Sequence, residues 1–277
     1  MSTVLFTGGL GNQLFQYTFM LYLKEIEKQD VSYNLSSIPF YHAHSGFEAD
    51  KVFDFSDFTE NRTNYYSLFY RGARKAACKL LGKSLFCDDK AYAAKHAAQV
   101  YEGFWMDQRY YAAVKQQLLR KRKDLSGYCD DVSIKQKIMN TNAVFIHVRR
   151  GDYVSNSGYC DLSKTRYYQN AIKCMQSKVS NPVFFVFSDD IAWCKQYFAD
   201  DEGMNFVQYE GQSTMGDLSL MLMCKHAILA NSTFSWWGAA LDTKQIVIRP
   251  SQYFSHGQKE TLYPAEWISF HVGGKKE

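Results

Sequence analysis

With 277 residues the chain is long enough for two domains of ordinary size, and an apolar share of 46% excludes an intrinsically disordered protein. The net charge of +4, with a sequence pI of about 8.5, suits an anionic ligand or membrane surface but is too small an imbalance for nucleic-acid binding. Seven cysteines, odd in number and without a CxxC pair, point to reduced thiols; with no apolar run of membrane-span length and no signal peptide, a cytoplasmic protein is expected.

The first element is a strand, Thr3–Phe6, followed by Gly8-Gly9-Leu10-Gly11-Asn12 and a run in which Leu14, Thr18, Leu21 and Tyr22 recur at helical spacing. Strand, glycine-rich turn and helix, with Asn12 near the helix start, is a shape that handles nucleotides: glycines admit a close approach and the helix N-terminus attracts anions. It is neither a dinucleotide fingerprint, because Leu14 stands where the third glycine would be, nor a P-loop, because no Gly-Lys-Ser/Thr follows. A plain tight turn explains the same residues.

Residues 31–110 are less regular. Aromatic patches such as Phe53-Asp54-Phe55 and Tyr65-Tyr66-Ser67-Leu68-Phe69-Tyr70 alternate with Arg71, Arg74, Lys75, Lys79 and Lys83. Such interleaving suits a carbohydrate-facing wall, although core packing accounts better for most of these rings. Val100–Trp105 reads as a further strand. Residues 110–139, including Arg120-Lys121-Arg122-Lys123, read as a solvated helix and then a linker, which places the domain division at 140/141.

From Asn142 the pattern becomes regular. Strands at Ala143–Val148, Val183–Phe187, Phe206–Tyr209, Ala227–Ala230 and Ile246–Arg249 alternate with helices at Ser163–Ser177, Ile191–Phe198, Gly216–Lys225 and Ser235–Asp242. That alternation indicates a parallel, doubly wound α/β sheet.

Three strand ends carry chemistry. Val144-Phe145-Ile146 is apolar without alternation, as in a strand buried on both faces, and delivers His147, Arg149, Arg150 and Asp152 around Gly151. Arg149 is the leading candidate, since its planar fork of donors suits a phosphate; arginines paired with nearby carboxylates are the plainer alternative. Ser188-Asp189-Asp190 follows the next strand, where a carboxylate can take hydrogen bonds from guanine or ribose, while one of the two aspartates better fits a helix cap. Asn231-Ser232-Thr233-Phe234-Ser235 opens a helix and can cradle a phosphate with hydroxyl and backbone N–H donors; a plain N-cap accounts for only one of the three hydroxyls.

GGLGNQLFQY, HVRRGDY, FSDD and NSTFSWWGAAL, with YPAEWI near the end, resemble in order and spacing the bacterial α-1,2-fucosyltransferases of glycosyltransferase family eleven. The resemblance spans nearly the whole chain. It implies the type B glycosyltransferase architecture, two Rossmann-like domains facing a cleft: residues 1–140 on the acceptor side and 141–277 binding GDP-β-L-fucose. The implied reaction inverts the anomeric centre and moves L-fucose to the 2-hydroxyl of a terminal galactose, on a lactose-like or surface-polysaccharide acceptor, without metal or cofactor. A lipid-linked acceptor would bring the chain to the inner membrane face as a peripheral protein. By the same resemblance Arg149 binds the β-phosphate, and His147, Asp189 and Asp190 lie at the nucleotide. Ser232, Thr233, Phe234 and Ser235 border the diphosphate, and Asn12 reaches the donor from the first domain. Asp152 is the nearest candidate base by motif. Gly9 stands where many relatives carry arginine, so the first domain lacks a cation there.

Two rival classes make different demands. A metal-dependent sugar-nucleotide transferase would hold Mn²⁺ on Asp88-Asp89 or Asp189-Asp190, yet no Asp-x-Asp ends a plausible strand. A non-catalytic carbohydrate-binding protein would have no use for Arg149 together with a hydroxyl-rich helix start.

Overall fold

A computed structural model of the chain describes residues 1–40, 46–65, 67, 86–87, 100–199, 201, 203–256 and 260–272. Tyr66, Asp88-Asp89 and the basic residues Arg71, Arg74, Lys75, Lys79 and Lys83 lie outside the described residues. The chain forms two compact units, Met1–Lys123 and Asp124–Glu277.

In the first unit, strands β1 (Ser2–Leu5), β2 (Val31–Asn34), β3 (Thr59–Glu60), β4 (Phe86–Cys87) and β5 (Val100–Glu102) form a sheet in the order β3-β2-β1-β5-β4, every pairing parallel. Helix α1 (Leu10–Glu25) follows β1, and α2 (Ala49–Val52) and α3 (Gln108–Lys121) are the unit's other α-helices among the described residues. A stripe widened by Phe15 and Phe19 buries α1 on most of its surface, so it serves as a core helix. Phe19 stacks on Trp105 with centroids 3.8 Å apart, and Tyr17 stacks on Phe53 at 4.6 Å. Phe53 is therefore core, not a sugar-facing wall.

The turn after β1 owes its form to two glutamines as much as to its glycines. Gly8 has φ of +75°, and a Cβ there would stand 2.7 Å from Asn12 Nδ2. Gln13 Nε2 donates to the Gly8 and Gly46 carbonyls, while its Oε1 accepts from Glu48 N–H and Ala49 N–H. Gln16 Oε1 accepts from Thr7 N–H and its Nε2 donates to the Gly103 carbonyl. Both amides are buried, and these bonds offset the penalty of placing them there.

In the second unit, β6 (Asn142–Val148), β7 (Pro182–Ser188), β8 (Met204–Phe206), β9 (His226–Ile228), β10 (Ile246–Pro250) and β11 (Ile268–Phe270) run parallel in the order β11-β10-β9-β6-β7-β8. Counted from β6, that is the 3-2-1-4-5-6 order of dinucleotide-binding folds. Helices α4 (Val132–Met139), α5 (Gly151–Ser155), α6 (Tyr167–Lys178), α7 (Ile191–Tyr197), α8 (Thr214–Met223) and α9 (Thr233–Ala240) accompany it. Strand β6 is the centre: Ile146 is level with Val186 and Ile228, all three fully buried.

The structure departs from the sequence reading in several details. Residues 124–140 go with the second unit, because α4 packs on β6 and α8, so the division lies earlier than 140/141. Strand β8 ends at Phe206 where the sequence suggests Phe206–Tyr209; the Tyr209 hydroxyl instead reaches Asp217 Oδ1 at 3.1 Å. The helix expected from Ser163 is broken, since Thr165 is extended and α6 starts at Tyr167. Among the described residues no helix is long and apolar enough to cross a membrane.

Candidate active site

In a doubly wound sheet, ligands bind at the carboxyl ends of the strands where the strand order reverses. Here that point lies between β6 and β9, so Arg149–Gly151 and Asn231–Ser235 flank it. Arg149 Nη1 lies 3.0 Å from Asp189 Oδ2, and Asp189 Oδ1 accepts from Arg150 N–H at 2.9 Å. One carboxylate thus ties both arginines of the β6 end to the β7 end. Gly151 opens α5 beneath it: a Cβ there would stand 2.7 Å from Asp189 Oδ2.

The neighbouring pair is built differently. Arg150 Nε donates to Asp190 Oδ2 at 3.0 Å, and its guanidinium lies over the Trp193 ring at 4.1 Å. Asp190 Oδ1 also accepts from Trp193 N–H and caps α7. That N–H, followed by the Arg150 guanidinium, holds the Asp190 carboxyl below the usual carboxylate range. Arg149 is the more exposed arginine, with 32% of its side chain accessible against 17% for Arg150.

His147 is buried, its ring edge-on to Phe234 with centroids 5.6 Å apart. Burial, and next the charge of Arg149, lower its pKa to about 3, so the imidazole is neutral at working pH. Its Nδ1 has no hydrogen-bond partner among the described residues. The unfolded chain takes up a proton near pH 6.5 that the fold refuses until about 3, so this residue withdraws stability as pH falls through that window. His147→Phe should therefore lose less stability than the parent between pH 7 and pH 4. Thermal melts across that range check it, and equal slopes would contradict it.

After β9 the hydroxyls are engaged inside the fold. Ser232 Oγ accepts from Phe234 N–H and caps α9; Ser235 Oγ donates to the Ala230 and Ser232 carbonyls; Thr233 is hydrogen-bonded to Tyr253. A plain N-cap accounts for Ser232 alone, as the sequence suggests, and the other two hydroxyls also have partners within the fold. Ser232 and Ser235 are buried, while Thr233 and Phe234 are half-buried. Asn231 Nδ2 donates to the Cys160 and Tyr253 carbonyls, both at 2.8 Å, which fixes the loop. Trp236 and Trp237 are buried; Trp236 Nε1 donates to the Leu262 carbonyl and its ring lies 5.4 Å from that of Trp267, so the segment from Leu262 to Trp267 braces α9.

Asn12 is half-buried in the first turn of α1, at the carboxyl end of β1, and belongs to the first unit. Asp152 falls within α5, and its side chain lies outside the described residues. Sequence reasoning passed over Trp193, Gln13 and Gln16. The glutamines carried a signal, since polar amides three apart on an apolar helix imply buried partners.

The model of glycosyl transferase family 11 matches residues 85–271. The α-1,2-colitosyltransferase of Escherichia coli is 32% identical over 94% of this chain and 96% of its own length. The galactoside 2-α-L-fucosyltransferase Sec1 of Mus musculus is 32% identical over 45% of this chain and 37% of its own length. Among solved structures, the fucosyltransferase NodZ from Bradyrhizobium superposes with a TM-score of 0.52 at 14% identity, covering 87% of this chain and 93% of that one. That likeness, with two parallel α/β units, is the type B glycosyltransferase fold. Sequence and fold agree: the chain is a glycosyltransferase belonging to family 11 and is related to the α-1,2-fucosyltransferases.

Proposed function

We propose that the chain transfers L-fucose from GDP-β-L-fucose, with inversion, to the 2-hydroxyl of a terminal galactose, without metal ion or cofactor. The observation that carries this reading is Arg149, partly exposed at the end of the central strand beside the switch point and oriented by Asp189. Breaking the C1–O bond leaves negative charge on the departing diphosphate, and a preorganised guanidinium meets it. Half-buried Thr233 and Phe234, at the start of α9, border the same strand ends. Neutral His147 lies buried at the end of β6 against Phe234, and the motif resemblance assigns Asn12 to the donor. Asp152 is the motif's candidate for the base that takes the acceptor proton.

Metal independence is supported by the state of the acid pair. Asp189 and Asp190, one of the two acid pairs a metal-dependent enzyme would use for Mn²⁺, are bound to Arg149 and Arg150. A second reading keeps the linkage and changes the sugar: similarity to a colitosyltransferase over 94% of the chain favours colitose as the donor sugar.

The test is a panel of nucleotide sugars, GDP-fucose and GDP-colitose among them, incubated with and without lactose in excess EDTA, scoring product mass. The expected result is a fucosylated product from GDP-fucose, undiminished by EDTA. Activity abolished by EDTA and restored by Mn²⁺ would overturn the mechanism; product from GDP-colitose alone would move the donor to the second reading.

A further inference from the structure

Four rings form a column that starts at Arg149 and ends in solvent. The Arg149 guanidinium lies 5.7 Å from the centroid of the Tyr153 ring. Tyr153 stacks on Tyr159 with centroids 3.9 Å apart and planes 7° from parallel; Tyr159 stacks on Phe254 at 5.6 Å, and Phe254 on His256 at 5.6 Å and 14°. An antiparallel bridge between Tyr159 and Phe254, with Ser255 N–H donating to the Gly158 carbonyl, holds the two segments together.

Core packing explains the inner end and not the outer one. Tyr153 is buried, Tyr159 and Phe254 are half-buried, and His256 is exposed. Neighbouring Val154 is 44% exposed. Rings nearly parallel with centroids 5.6 Å apart are slid past one another, which leaves part of each face uncovered. Exposed Asn156, Ser157 and Ser255 set polar groups beside these rings. Apolar faces with a few polar groups at their margin are the surface a pyranose needs, since it carries C–H groups on one face and hydroxyls around its rim.

We propose that the Tyr159–Phe254–His256 surface is a subsite for the galactoside acceptor, seating the sugar chain that carries the reactive galactose. This rests on the proposed function. The column begins at the arginine assigned to the leaving phosphate and ends at exposed His256, so a chain laid along it presents one end where the anomeric carbon is attacked. Galactose suits such a surface, because its axial 4-hydroxyl leaves three C–H groups together on the opposite face.

The test uses the full chain as parent, His256→Ala, and Phe254→Leu, which keeps apolar bulk without a ring. Three quantities are read: lactose binding by saturation-transfer NMR in the presence of GDP, the KM for lactose, and hydrolysis of GDP-fucose without acceptor. The expected result is lactose affinity weakened about three- to tenfold in each variant and a KM raised to match, with hydrolysis unchanged. Unchanged lactose binding in both variants overturns the proposal, as does a parent that binds no lactose. A parallel fall in hydrolysis also overturns it, assigning the column to bracing Arg149. If the parent binds lactose but leaves GDP-fucose intact, the donor reading fails while the binding comparison still decides the subsite.

Discussion

Replacing Arg149 with alanine is expected to lower the transfer rate by about 10²–10³ while the protein stays folded. The guanidinium stands at the end of the central strand, with Asp189 fixing its direction through the 3.0 Å contact. Charge on the diphosphate grows as the C1–O bond lengthens, so the interaction is stronger in the transition state than with bound donor. Such an interaction appears in kcat as well as in kcat/KM. Arg149→Lys keeps the charge but loses the fork that Asp189 orients, and little recovery is expected. Arg150→Ala makes the contrast: it removes a pair with Asp190 and a stack on Trp193, so it should show in the melting temperature first. Steady-state rates and thermal melts on the three variants separate these outcomes. A near-parental Arg149→Lys beside a folded, inactive Arg150→Ala would exchange the roles of the two arginines.

Gly151→Ala should lose more activity than stability. The added Cβ would stand 2.7 Å from Asp189 Oδ2, which must move, and Asp189 is the link between Arg149 and the Arg150 backbone N–H. Losing a charged hydrogen bond costs about 1.5–3 kcal/mol, roughly ten- to a hundredfold in rate if Arg149 is then misdirected. Gly151 is also the first residue of α5, where the better helix propensity of alanine offsets part of that loss, so the melting temperature should fall little. Activity near parental, with the fold intact, would show that Asp189 does not position Arg149.

The parts of this fold legible in the sequence are those written in one continuous segment. Strand β6 reads as buried on both faces because it is, and the strand-turn-helix from β1 into α1 follows from its glycines and its apolar stripe. Strand β11, with three residues at the sheet edge and partly exposed, carries no such pattern. Helix α4 is largely exposed and reads as linker, although its contacts place it with the second unit. At the candidate site, the placement of Arg149 at a strand end was legible from the apolar run before it. What the hydroxyls do was not, because Thr233 is engaged by Tyr253, a residue that arrives only after β10. Likewise Asp190 could be weighed as a cap from its place before α7, but the pairing of Asp189 with Arg149 joins residues forty positions apart and only the folded sheet brings them together.

The stack of Arg150 on Trp193 has an optical consequence. Trp105, Trp236, Trp237 and Trp267 are all buried, whereas Trp193 is half-buried and stands one turn from Asp190 at the edge of the candidate site. The emission that a small aqueous quencher can reach therefore belongs chiefly to this indole, and Trp193→Phe would silence it. Occupancy of the strand ends can then be followed in unlabelled protein through a native fluorophore, without waiting for turnover.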